Sequence, residues 1–320
     1  MRLAVSLLIL LALLVAVVWW RAGARTRSVE AMYPPIGRIL DVDGVPVHAL
    51  VRGDGPDLVL IHGASGNLRE FLPLIARLQD RYRVIAFDRP GLGYTGRTDP
   101  AYADPFTLAA ESPAEQARLL AAAARALGAE RPLVLGHSYG GAVALAWALD
   151  EEAAGLIDVS GVAMPWPGGL GTLYRATDSR LGGAVVPALV AAAATRGQVA
   201  AAIESVFAPQ PEPEGYVDEA GAALILSPGR FRANARQVNA LRPHVVEMEP
   251  RYPSLHLPVE IVHGDADTIV PIGIHSIPLS QAIQGADLTV LDGMGHMPHR
   301  AAMDAVAAAV DRAAARAGLR

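Results

Sequence analysis

Six short apolar runs constrain this chain more than any other feature. They occupy residues 57–62, 83–87, 132–137, 154–160, 259–263 and 287–291. Each has strand length and is almost unbroken by polar residues, the pattern of a strand buried on both faces. Helical patterns separate most of them. An amphipathic stretch runs from about Leu68 to Gln79, and Ser112-Pro-Ala-Glu115 is a capping box with proline at the first helical position, opening a helix that ends near Leu127 before Gly128. Small residues follow Ser138 to about Leu149, a further helix is expected near 274–283, and an alanine-rich helix from about Ala301 closes the chain. Strand and helix in alternation predict an α/β fold with a mostly parallel central sheet flanked by helices. Ahead of it, 37–41 and 45–51 read as two strands joined by the hairpin dipeptide Asp43-Gly44. In such sheets ligands bind beyond the carboxyl ends of the strands, where His62, Asp88 and Ser138 all fall.

The alternation divides the chain. Residues 3–20 are continuous apolar sequence with one serine, bounded by Arg2 and Arg21 and ending in Trp19-Trp20. That length just spans a hydrocarbon core of roughly 30 Å, and the tryptophans suit an interfacial belt. Two readings stand: an uncleaved transmembrane anchor, which we favour, and a signal peptide cut near Ala22-Gly-Ala24 that would leave a secreted protein. Arg21, Arg25 and Arg27 after the span lean toward a cytoplasmic body on a bacterial-type inner membrane. Residues 1–35 are therefore read as anchor and linker, 36–162 and 252–320 as the two parts of an α/β core, and 163–251 as a helical insertion with proline-rich breaks.

Composition removes several chemistries. There is no cysteine and no lysine, which excludes thiol catalysis, disulfides and lysine Schiff bases. A net charge of -5 gives no footprint for nucleic acid. Asp88-Arg-Pro-Gly-Leu-Gly93 lacks both the dinucleotide spacing and the lysine of a phosphate loop, so no nucleotide cofactor is expected. With no His/Glu pair at ligand spacing along the chain, no metal is expected either.

Three loops carry nucleophilic chemistry. Gly136-His-Ser-Tyr-Gly140 places Ser138 on a tight turn between an apolar run and a helix, at a helix N-terminus that favours an oxyanion. A serine needs a base, and the base an orienting acid. Strand 259–263 leads into Gly264-Asp-Ala-Asp267, and the last strand leads into Gly295-His-Met-Pro-His299.

With these segments the chain resembles the α/β-hydrolase family from about Ile36 to the C-terminus, much of the insertion excepted. The resemblance implies the α/β-hydrolase fold with a helical cap, Ser138 as nucleophile, Asp267 as acid in preference to Asp265, and His296 as base. It implies oxyanion donors from the backbone N–H groups of Tyr139 and Ala64, and a bracing role for the loop at Asp88. His62 is read as structural, His137 and His299 as packing neighbours of the triad, and His263 as a strand-end residue. Met164, Trp166 and Phe231 are candidates for an apolar pocket wall. The activity implied is hydrolysis of small or apolar carboxylic esters; C–C bond hydrolases, perhydrolases and small-peptide hydrolases share the triad, and a non-catalytic, anchored binding protein is the alternative from another class.

Overall fold

The structure is a computed structural model describing all 320 residues. Its centre is an eight-stranded sheet of β1 (Arg38–Val42), β2 (Val45–Arg52), β3 (Asp57–Ile61), β4 (Arg83–Phe87), β5 (Leu133–His137), β6 (Gly155–Val159), β7 (Val259–Gly264) and β8 (Asp287–Leu291). The strands lie in the order β1-β2-β4-β3-β5-β6-β7-β8. β2 runs antiparallel to β1 and β4, and all other neighbours are parallel. The β1–β2 hairpin closes through Asp43 and Gly44, both at positive φ as its turn type demands.

Successive strand residues point to opposite faces, and both faces are dry. Val59, Ile85, Val134 and Ile261 meet one helical layer, while Leu58, Val84, Leu135 and Val262 meet the other. That double burial explains why these strands read as unbroken apolar runs rather than alternating ones.

Helix α1 (Arg2–Met32) precedes the sheet. α2 (Leu72–Leu78) follows β3, α3 (Pro113–Ala126) carries the capping box expected at Ser112 and Glu115, and α4 (Tyr139–Asp150) follows β5 directly. Between β6 and β7 come α5 (Thr172–Thr177), α6 (Arg180–Ala193), α7 (Arg196–Phe207), α8 (Tyr216–Glu219) and α9 (Pro228–Met248), the helical cap. α10 (Ser276–Ala282) lies between β7 and β8, and α11 (Pro298–Ala301) and α12 (Met303–Arg316) complete the chain.

One expectation is corrected. Residues 22–32 are not a linker: α1 continues unbroken through them, because no proline interrupts the alanine- and arginine-rich stretch before Pro34. Its second half is docked, with Ala22 buried against Ala191 and Ala192 of α6 and Val29 and Tyr33 against Leu224. Arg21 and Arg25 donate to the carbonyls of Ala192 and Ala194, capping the C-terminus of α6. The first half, by contrast, is exposed along its length.

Candidate active site

β5 ends at His137 and α4 begins at Tyr139, so Ser138 must reverse the chain in a single residue. It does so at φ +55°, ψ −120°, a strained conformation held by its surroundings. The flanking glycines make the turn possible: a Cβ on Gly136 would lie 2.1 Å from the carbonyl oxygen of Gly140, and one on Gly140 would lie 2.2 Å from that of Ile61.

The loops after β7 and β8 converge on this serine. His296 Nε2 lies 3.0 Å from Ser138 Oγ, and His296 Nδ1 lies 2.7 Å from Asp267 Oδ2. An ionised carboxylate only accepts, so the proton of the neutral imidazole belongs on Nδ1, which leaves the Nε2 lone pair facing the serine hydroxyl. Asp267 Oδ1 accepts the N–H groups of Ile269 and Val270 at 2.8 and 2.9 Å. Burial alone would raise the pKa of this carboxyl, yet hydrogen bonds from His263 and His296 hold it well below the usual range. Burial pushes the His296 imidazole below its ordinary value, against the pull of Asp267. Asp265 is elsewhere: it accepts the N–H of Gly293 at 2.7 Å on the exposed side of the loop.

His263 does more than end a strand. Its Nε2 lies 2.7 Å from the Val270 carbonyl, which can only accept, so that nitrogen carries a proton shared with Asp267 Oδ2 at 3.2 Å. Its Nδ1 is 2.6 Å from Ser276 Oγ. The motif around Gly264 pointed to the aspartate and gave no sign of this second imidazole.

Opposite the serine lies the loop after β3. The N–H of Ala64 and the N–H of Tyr139 have no acceptor within the protein. The loop is held on all sides: Arg89 Nη2 donates to the Gly63 carbonyl at 3.1 Å, His62 Nε2 accepts the Arg89 N–H at 2.9 Å, and Asp88 accepts the N–H groups of Leu68 and Tyr94, both at 2.8 Å. Two further braces escaped the sequence reading. Gly63 N–H donates to the buried Glu70 carboxylate at 3.3 Å, and Asn234 of α9 accepts the Ser65 N–H at 2.6 Å. Neither sits in a motif: the first is a seven-residue contact within the connection from β3 to α2, and the second depends on the cap meeting that loop across the fold.

Ser138, His296, Ala64 and Gly63 line one end of a cavity of about 700 Å³. The rest of its wall is chiefly apolar and comes mostly from the cap, including Leu189, Val199, Phe207 and Phe231. Phe231 therefore lies where a pocket residue was expected. Met164 and Trp166 do not: Met164 is buried in the core on the α4 face, its N–H 3.2 Å from His275 Nδ1, and Trp166 packs beside it with its ring 6.1 Å from that histidine. The segment after β6 turns back onto the core before the cap begins, which carries both side chains away from the cavity. Arg230 and Arg232, outside the cavity lining, pair with Glu30 and donate to the Gly183 carbonyl respectively.

The alpha/beta hydrolase family matches residues 58–309. An uncharacterised protein of Mycobacterium tuberculosis is 26% identical over 285 residues, covering 85% of this chain and 79% of its own length. An alpha/beta hydrolase fold protein from Burkholderia ambifaria aligns with a TM-score of 0.70 at 27% identity, over 86% of this chain and 97% of that one. A membrane phospholipase A described as a bacterial virulence factor aligns over 98% of both chains with a TM-score of 0.66, and at 21% identity that likeness is one of fold.

Proposed function

The chain belongs to the α/β-hydrolase family, and from that premise we propose that it is a membrane-anchored serine hydrolase that cleaves carboxylic esters with an apolar acyl or alkyl part through an acyl-enzyme. The observation that carries this reading is the unbroken chain of contacts from Ser138 through His296 to Asp267, at 3.0 and 2.7 Å. His296 Nε2 takes the hydroxyl proton as Ser138 Oγ attacks the acyl carbon, and Asp267 steadies the imidazolium that forms. The oxyanion is received by the free N–H groups of Ala64 and Tyr139, each such donor being worth about 2.7–4 kcal/mol in other enzymes. His296 returns the proton to the departing alkoxide. Water, activated by the same imidazole, then releases the acid and restores Ser138.

The apolar cavity supports an ester with a substantial hydrocarbon portion, since such a wall offers few groups to pair with a charged or polar one. The anchor reading is supported by the continuity of α1: cleavage after Ala24 would cut a single helix and remove Arg21 and Ala22, which cap and pack against α6. The name of the phospholipase, which aligns along this whole chain, agrees with an ester hydrolase working at a bilayer.

The test is labelling of the full-length protein by a fluorophosphonate probe, followed by p-nitrophenyl esters of increasing acyl length. Labelling of the wild type that is lost in Ser138→Ala, with a preference for the longer chains, is expected. A folded protein that neither labels nor turns over any ester would overturn the reading in favour of a binding protein.

A further inference from the structure

Beside Ser138, three titratable side chains meet that the acyl-transfer chemistry does not use. Glu70 comes from the turn before α2, His137 is the last residue of β5, and His299 stands on α11, three residues beyond His296. Their exposures are 5%, 3% and 0%, so none can rely on bulk water. Glu70 Oε1 lies 3.5 Å from His137 Nδ1 and 3.8 Å from His299 Nε2, and the two imidazole rings are 4.1 Å apart between centroids. His137 Nδ1 and both ring nitrogens of His299 have no hydrogen-bond partner. Leaving such groups buried and unpaired costs about 1–3 kcal/mol each.

The contacts that do exist fix what these nitrogens present. His137 Nε2 lies 3.0 Å from the carbonyl oxygen of His296, which only accepts, so Nε2 carries the proton and the neutral ring turns its Nδ1 lone pair toward Glu70. Glu70 Oε1 already accepts the Gly63 N–H. A carboxylate oxygen and two imidazole nitrogens thus converge on one point, where a proton could join two of them but not all three. Arg300, next to His299 in the chain, is committed to the Glu219 carboxylate at 3.1 Å and to the Glu70 backbone carbonyl.

Two imidazoles and one carboxylate form the donor set of zinc sites that keep an open fourth position. Ligands at 2.0–2.2 Å from a tetrahedral cation are separated by about 3.3–3.6 Å, which a small movement of His299 would reach. A metal-binding histidine typically gives its other N–H to a backbone carbonyl, as His137 does to His296. Glu70 and His137 also line the cavity, which provides both an entry path and room for a fourth ligand. We propose that Glu70, His137 and His299 form a binding site for a divalent transition-metal cation, with Zn²⁺ the best match to their nitrogen and oxygen donors. The cation would tie together the loop at Gly63, the turn at Ser138 and the segment carrying His296, and it would act as a staple rather than in the acyl-transfer steps.

The experiment uses the full-length, tag-free protein in detergent, stripped with a chelator. Titration with ZnCl₂ by calorimetry should give one site per chain, and Zn²⁺ should raise the melting temperature. Co²⁺ should give the intense visible absorption of a four-coordinate site, a signature independent of any variant. Glu70→Gln and His299→Gln each remove a direct ligand and should weaken Zn²⁺ binding by at least the roughly 10- to 100-fold lost with an outer-shell partner. Absence of stoichiometric binding to the wild type would overturn the proposal. So would unchanged affinity in both variants, or a six-coordinate Co²⁺ spectrum.

Discussion

Asp267 is held by four donors: the N–H groups of Ile269 and Val270 on one oxygen, and the imidazoles of His296 and His263 on the other. This arrangement decides what an isosteric change would do. In Asp267→Asn the remaining oxygen is the natural partner of the two backbone N–H groups, so the new NH₂ must face His296 Nδ1. A donor there forces the imidazole to accept on Nδ1 and to carry its proton on Nε2, where it can no longer take one from Ser138. A tautomer error of this kind costs about 10⁴-fold in kcat in the serine proteases, and a loss of 10³- to 10⁴-fold with little change in KM is expected here. Asp265→Asn, which touches only Gly293 on the loop surface, should stay within about twofold. Steady-state kinetics on one soluble ester separates the two, and equal losses would remove Asp267 from its assigned role. That Asp267 rather than Asp265 meets His296 was legible because the expectation rests on a local string. The second imidazole at Asp267 was not, since nothing in Val262-His263-Gly264 says that the ring turns back toward its own loop.

At the scale of elements, local chemistry was read well and long-range packing was not. The Asp43-Gly44 hairpin, the Ser112 capping box and the turn at Ser138 each depend on residues within four positions of one another. The docking of residues 22–32 and the placement of Met164 and Trp166 depend on α6 and on His275, just before α10, far along the chain. Glu70 and His299 are separated by most of the sequence, so a search for ligand spacing along one element could not have brought them together. Strand β6 carries a further consequence of burial. Asp158 is fully buried with no well-formed hydrogen bond to either oxygen, and burial pushes its carboxyl from 3.8 up to about 6, against the influence of His263, the nearby Gly161 N–H and His137. A carboxyl whose folded pKa lies above its unfolded one binds more protons when folded. Its contribution therefore favours the folded state below about pH 4 and is lost as pH rises through about 6. The difference is on the order of 3 kcal/mol at full effect. Asp158→Asn, neutral at every pH, should raise the melting temperature above pH 7 and leave it little changed near pH 4. A variant less stable than wild type at pH 8 would mean that the ionised carboxylate has a partner.

For the molecule as a whole, α1 belongs to two environments, and the division falls at Val18–Ala22. Residues before it are exposed and apolar, with Trp19 and Trp20 at the end of the span, whereas Ala22, Val29 and Tyr33 are buried against the cap. The second half also carries polar ties: Tyr33 Oη donates to Asp218 at 2.8 Å, Glu30 pairs with Arg230 at 2.8 Å, and Arg21 and Arg25 cap α6. A pure anchor would need none of these contacts, and cleavage after Ala24 would remove Arg21 and Ala22 while leaving those of Arg25, Glu30 and Tyr33. Two truncations distinguish the roles. Removing residues 2–17 takes away most of the exposed apolar half and none of the buried side chains, so, on the proposed anchor role, the protein should leave the membrane fraction with its melting temperature unchanged. Removing residues 2–33 strips the caps from α6 and exposes Ala191, Ala192 and Leu224, so the melting temperature should fall by several degrees and hydrolysis of a soluble ester should fall with it as the cavity wall loosens. Equal melting temperatures for the two truncations would mean that the docked half of α1 contributes nothing to the cap. A native amino terminus beginning beyond Ala24 would show instead that the span is cleaved.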